Sequence, residues 1–143
     1  MSAAKGSEVT PQLALKRRAR GQLSMLLAQL LLGMAVNLIG EPMQAAGLAK
    51  IASAVFLILH ILIGIGLLAG AILVAVNAGR AEPSLAGLAW IGFAVVIVTF
   101  AAGVLTMITN SGWWSYLMAA GATALLVIYG MLFVRPGQSK AAA

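Results

Sequence analysis

The sequence predicts an all-α fold: an integral membrane four-helix bundle, up-down and antiparallel, making a single transmembrane domain of residues 1–143. Three observations predict it. The chain is 62% hydrophobic and only 8% charged, far from the roughly 45–50% apolar and about 25% charged residues of a soluble domain. Four apolar runs, over residues 23–39, 53–76, 85–108 and 113–134, each approach the ~17–25 residues that carry a helix across a bilayer core. The links between them are short and marked by Gly and Pro, so neighbours in sequence should pack antiparallel.

The helices are expected at residues 11–39, 51–78, 85–109 and 113–134. The first starts at Thr10-Pro11, an N-cap followed by a proline at the first helical position. It carries Lys16, Arg17, Arg18 and Arg20 toward the headgroups before entering lipid. A cleavable leader is not expected, because the basic segment is long and no small-residue cleavage pattern follows the apolar run. Gly40, Glu41 and Pro42 end this helix, since proline disfavours helical geometry in the residue before it. The longest loop then runs from Gly40 to Lys50, the next link spans Gly79 to Ser84, and Asn110-Ser-Gly112 closes a tight hairpin. Residues 136–143 read as a small, polar, disordered tail.

Eight of the nine Lys and Arg fall on one side of this arrangement: Lys5, Lys16, Arg17, Arg18, Arg20, Arg80, Arg135 and Lys140, against Lys50 alone. The positive-inside rule then places both termini in the cytoplasm, with the chain in the cell (plasma) membrane. Trp113, Trp114 and Tyr116 sit where the fourth helix meets the outer interface, with Trp90 and Tyr129 toward the inner one.

The same inventory excludes much chemistry. The chain has no cysteine, no aspartate and three glutamates, Glu8, Glu41 and Glu82. Thiolate metal sites, disulfides and Cys nucleophiles are therefore ruled out, and paired acid/base groups are scarce. An enzyme is not expected. The net charge of +6 comes mostly from residues near the chain ends without interleaved aromatics, so nucleic acid is not an expected partner.

Projected at about 100° per residue, each run carries a small or polar stripe. Helix one has Gln22, Gln29, Gly33, Asn37 and Gly40, and helix two has Gly66, Gly70 and Asn77. Helix three has Gly92, Thr99, Gly103, Thr106 and Asn110, and helix four has Ser115, Ala119, Thr123 and Gly130. These stripes are expected to face inward, since in lipid small residues let backbones approach and polar side chains bond across helices for about 0.6–2 kcal/mol each. The packing contacts are expected from Gly66, Gly70, Asn37, Asn77, Thr99, Gly103 and Thr106. Gly66 and Gly70 form a GxxxG spacing that suits either packing within the chain or an oligomer seam.

His60, in "FLILHILIGIG", is the only histidine, and no Glu, Lys or Arg interrupts any run. It sits a few residues outward of the middle of helix two, on a face with Phe56, Leu57, Gly64, Leu67, Ala71 and Val74. One reading is structural, with the imidazole bonded to Asn37, Thr99, Thr106 or a backbone carbonyl. Another is an axial ligand to haem b, with Met34, Met107 or a second copy's histidine opposite, or to a five-coordinate chlorophyll-type pigment. A third is a proton or quinone role.

"AQLLLGMAVNLIGEP" (28–42), followed after a short loop by "FLILHILIGIG", resembles one four-helix half of the haem A synthase family, a cytochrome-b-like bundle. The resemblance covers residues 22–66. It implies that His60 corresponds to a helix-two haem ligand and Glu41 to a loop carboxylate. That family has two such halves with histidine pairs, whereas this sequence has one half and one histidine. "NSGWWSYLMAAG" (110–121) is similar to stretches of uncharacterised small four-helix bacterial membrane proteins, which implies a fold and no activity.

The expected function is a non-catalytic integral membrane protein: an accessory, assembly or structural subunit that packs with a membrane protein partner or with itself in the lipid bilayer. The alternative is a haem- or pigment-binding electron-transfer or cofactor protein centred on His60. A small-solute transporter is the third reading.

Overall fold

A computed structural model describes residues 10–40, 45–109 and 111–135. The residues 1–9, 41–44, 110 and 136–143 lie outside the described set, and with them Lys5, Glu8, Glu41, Asn110 and the tail. Four helices follow in order: α1 (Pro11–Ile39), α2 (Gly47–Ala81), α3 (Pro83–Thr109) and α4 (Gly112–Val134). All four are long and apolar enough to cross a membrane, and the described residues contain no strand. The fold class expected from composition and run length is the one observed.

Local chemistry sets the ends. Thr10 caps α1, its hydroxyl accepting from the Leu13 N–H at 3.4 Å, and Pro11 occupies the first position where no N–H bond is lost. Gly40 ends α1 at φ 92°, a left-handed conformation that a Cβ would resist.

Helix α2 is longer than the sequence suggested, running through Lys50 at one end and through Gly79 and Arg80 at the other. Only Glu82 separates α2 from α3. Its N–H still bonds to the Ala78 carbonyl at 2.9 Å, and its own carbonyl accepts from Leu85 N at 2.9 Å. Pro83 forces the break, because the residue before a proline is driven out of helical geometry, and Glu82 is extended.

The helices form a closed ring in which each packs on two neighbours, in the order α1, α2, α3, α4 and back to α1. Neither diagonal pair brings its backbones into close approach among the described residues. Lys16, Arg17, Arg18, Arg20, Arg80 and Arg135 all lie toward one end, called here the basic end, while Lys50 lies toward the other.

The core is confined to the half of the bundle nearest the basic end. It comprises Leu15, Ala19 and Leu26 of α1, Leu67 to Ala78 of α2, Leu85 to Val96 of α3, and Leu125 to Leu132 of α4. Alanine is frequent there, at Ala19, Ala71, Ala75, Ala78 and Ala89, and lets the helices close in while leucines fill the gaps. Among the described residues of the opposite half only Ser53, Gly64, Ala102 and Ala122 are buried, all of them small.

The structure corrects two of the expected inward faces. On α4 the stripe Ser115, Ala119 and Thr123 is exposed, and the buried line is Ala122, Leu125, Ile128, Tyr129 and Leu132. On α1, Asn37 is exposed although Gln22 on the same side is buried. The physical reason is that a helical hydroxyl can bond its own carbonyl one turn back. The Thr123 hydroxyl donates to the Ala119 carbonyl at 3.0 Å, so its polarity needs no partner helix.

Candidate functional site: a polar seam inside the bundle

The seam between α1 and α2 brings together Gln22, Gln29 and His60. Gln22 lies against Gly70, Met25 against Gly66, Gln29 against Gly64, and Gly33 against His60. This antiparallel register alternates a bulky or polar side chain with a glycine that has no Cβ to obstruct it. At Gly70 a Cβ would overlap the Gln22 amide nitrogen, and at Gly66 it would come within 2.6 Å of Met25 Cε. Gly66 and Gly70 thus face α1 of the same chain.

Gln22 is 3% exposed, and its Nε2 donates to the Leu67 carbonyl at 3.4 Å. Gln29, one heptad further along, has its Nε2 at 3.3 Å from where a Gly64 Cβ would stand. The Oε1 atoms of Gln22 and Gln29 are both buried without a protein partner.

His60 reaches across the same seam. Its Nδ1 is 3.2 Å from the Gln29 carbonyl oxygen, and its ring lies against Gly33, where a Cβ would be 3.2 Å from Cε1. A carbonyl only accepts, so Nδ1 carries the proton, and in the neutral ring Nε2 is left with a lone pair. Of the partners the sequence offered to His60, the backbone carbonyl is the one in place.

Met34 and Met107 are each 60% exposed, on the flanks of α1 and α3 next to the inward faces that carry Gly33 and Thr106. The His60 Nε2 could serve as one axial ligand, and neither methionine is turned into the core to supply a second. Among the described residues no three of His, Cys, Asp and Glu come together.

The second hairpin uses the same device with different side chains. Gly92 faces Ile128 and Tyr129, Gly121 faces Thr99, and Gly103 faces Met118 with a Cβ position 3.1 Å from its sulfur. The hydroxyls of Thr99 and Thr106 donate to their own helix, at Val95 O (2.8 Å) and Ala102 O (2.9 Å). Asn77 does likewise to Leu73 O at 2.6 Å. These residues therefore pack by shape, while the cross-helix side-chain hydrogen bonds come from Gln22 and His60, with Ser53 joining α2 to the Gly40 carbonyl at 2.5 Å.

Two residues that matter to the seam carried a legible signal: a glutamine inside an apolar run must be satisfied by the protein, and Gln22 and Gln29 are seven apart. Tyr129 carried none. It was expected toward the inner interface, and within the bundle it is fully buried, with its hydroxyl unpartnered.

Four apolar helices closed into a ring with an interior polar seam define a small multi-pass membrane protein. Comparison with known protein families, with curated proteins and with solved structures finds no match.

Proposed function

We propose that this chain is a non-catalytic accessory subunit of the cell membrane, oriented with its basic end and both termini in the cytoplasm, that holds a membrane partner through the open half of the seam between α1 and α4. One observation carries the reading. α1 and α4 pack on each other, and their buried residues near the basic end include Ala19 and Leu26 of α1 and Leu125 and Tyr129 of α4. Toward the other end the exposed residues include Asn37 of α1 and Ser115 of α4. In that half contacts join α1 to α2 at Gly33–His60, α2 to α3 at Gly64–Phe100 and α3 to α4 at Gly103–Met118.

An amide and a hydroxyl at the edge of an open seam suit a partner helix, because in lipid such groups gain from hydrogen bonds across a contact. The charge distribution supports the orientation: six of the described Lys and Arg lie at the basic end and Lys50 at the other. Co-purification from membranes in mild detergent tests the proposal. A partner or a second copy should be retained by the wild type and lost in Asn37→Leu/Ser115→Leu with the fold intact. A monomer with nothing bound, in detergent and in lipid nanodiscs, removes the idea.

A second reading rests on His60. An imidazole whose Nδ1–H is anchored on a carbonyl, leaving Nε2 free, has the arrangement common among metal-bound histidines. In that reading the protein binds a haem or a related pigment, and its second ligand comes from outside this chain. The absorption spectrum of the purified protein decides it: a colourless preparation that takes up no added haem b excludes it.

A further inference from the structure

We propose that the bundle encloses a site for ordered water, held between the Gln22 carboxamide of α1 and the Tyr129 hydroxyl of α4. Both side chains are buried, Gln22 at 3% exposure and Tyr129 at 0%, and both end in an oxygen without a protein partner. Two such orphans are costly in a dry interior, and native structures resolve them.

Packing register places the two groups in one layer. Gln22 is level with Gly70 of α2, and Tyr129 is level with Gly92 of α3. The α2–α3 pairs Gly64–Phe100 and Gly79–Ala86 set Gly92 level with Ile72 and Leu73. The offset between the two groups along the bundle is then two to three residues, or about 3–5 Å.

Their neighbours are small. Gly70 and Gly92 bring no Cβ to the Gln22 amide or to the tyrosine hydroxyl, and Ala19, Ala71 and Ala89 line the adjoining faces. The chemistry also matches. The Oε1 of Gln22 accepts and the tyrosine hydroxyl both donates and accepts, so water can donate to the first and accept from the second. A buried water needs two to four polar partners, and this layer supplies them. Gln22 keeps its Nε2 on the Leu67 carbonyl throughout.

Hydroxyl-radical footprinting of the whole protein by X-ray radiolysis in mild detergent tests the site, since a fully buried aromatic ring is labelled quickly only when bound water lies beside it. The expected result is rapid modification of Tyr129 in the wild type and at least a fivefold slower rate in Gln22→Leu. Tyr129→Phe is the second measurement. With water bound, losing the hydroxyl strands that water and lowers the unfolding midpoint by about 2–5 °C. Absence of Tyr129 labelling in the wild type, or a midpoint unchanged or raised in Tyr129→Phe, overturns the proposal. Missing labelling with a lowered midpoint would mean a direct bond between the two side chains instead.

Discussion

Replacing Gly70 with alanine probes the α1–α2 seam most directly. The new Cβ would overlap Gln22 Nε2 and stand 3.0 Å from its Cδ, so the amide must swing away from the Leu67 carbonyl. Losing that bond inside the bundle costs about 0.6–1.7 kcal/mol, and crowding in a packed site adds about 1–3 kcal/mol. Alanine offsets part of this, being better than glycine in a helix by about 0.8–1.0 kcal/mol. The expected net effect of Gly70→Ala is a destabilisation of about 1–3 kcal/mol. In a Gln22→Ala background the obstruction is gone, and the same substitution should stabilise by up to ~1 kcal/mol. Equilibrium unfolding by SDS titration in mild detergent, followed by fluorescence of the three tryptophans, measures all four corners of this cycle. Additive effects, or a neutral Gly70→Ala in the wild type, would refute the register and the role given to Gln22.

Three further outcomes follow from the same geometry. Gly121→Ala should destabilise by about 2–3 kcal/mol, because the atom it meets belongs to Thr99, a β-branched residue pinned to the Val95 carbonyl and unable to turn aside. Thr99→Ala should relieve most of that loss in the same unfolding assay. His60→Leu should cost no more than about 1.5 kcal/mol, since the Gln29 carbonyl keeps its helical hydrogen bond when the imidazole goes. A larger loss would mean that the ring is satisfying something else. With no native cysteine, single cysteines at Gln12 and Ala46 report topology by labelling intact cells with a membrane-impermeant maleimide. Only the Ala46 site should react, and the reverse pattern would invert the orientation.

Composition and run length were enough to determine four membrane-crossing helices, because the cost of leaving backbone groups unbonded in lipid is paid by any apolar run of that length, whatever surrounds it. The ends of α1 were equally local: Thr10, Pro11 and Gly40 act on their own backbone. The break at Glu82 was local as well, being set by Pro83, yet helical geometry extended up to it on both sides where a loop was expected. What lies opposite each inward residue was decided only by tertiary structure. Ser115, Ala119 and Thr123 looked like an inward stripe and are exposed, because a serine or threonine can satisfy itself within its own helix and so reports little about burial. A glutamine has no such easy local solution, and Gln22 and Gln29 do lie at the seam. Even so, that they meet Gly70 and Gly64, and that His60 meets Gly33, depends on the sliding register of two helices. That register is settled by the fit of many side chains at once rather than by any residue's own preference.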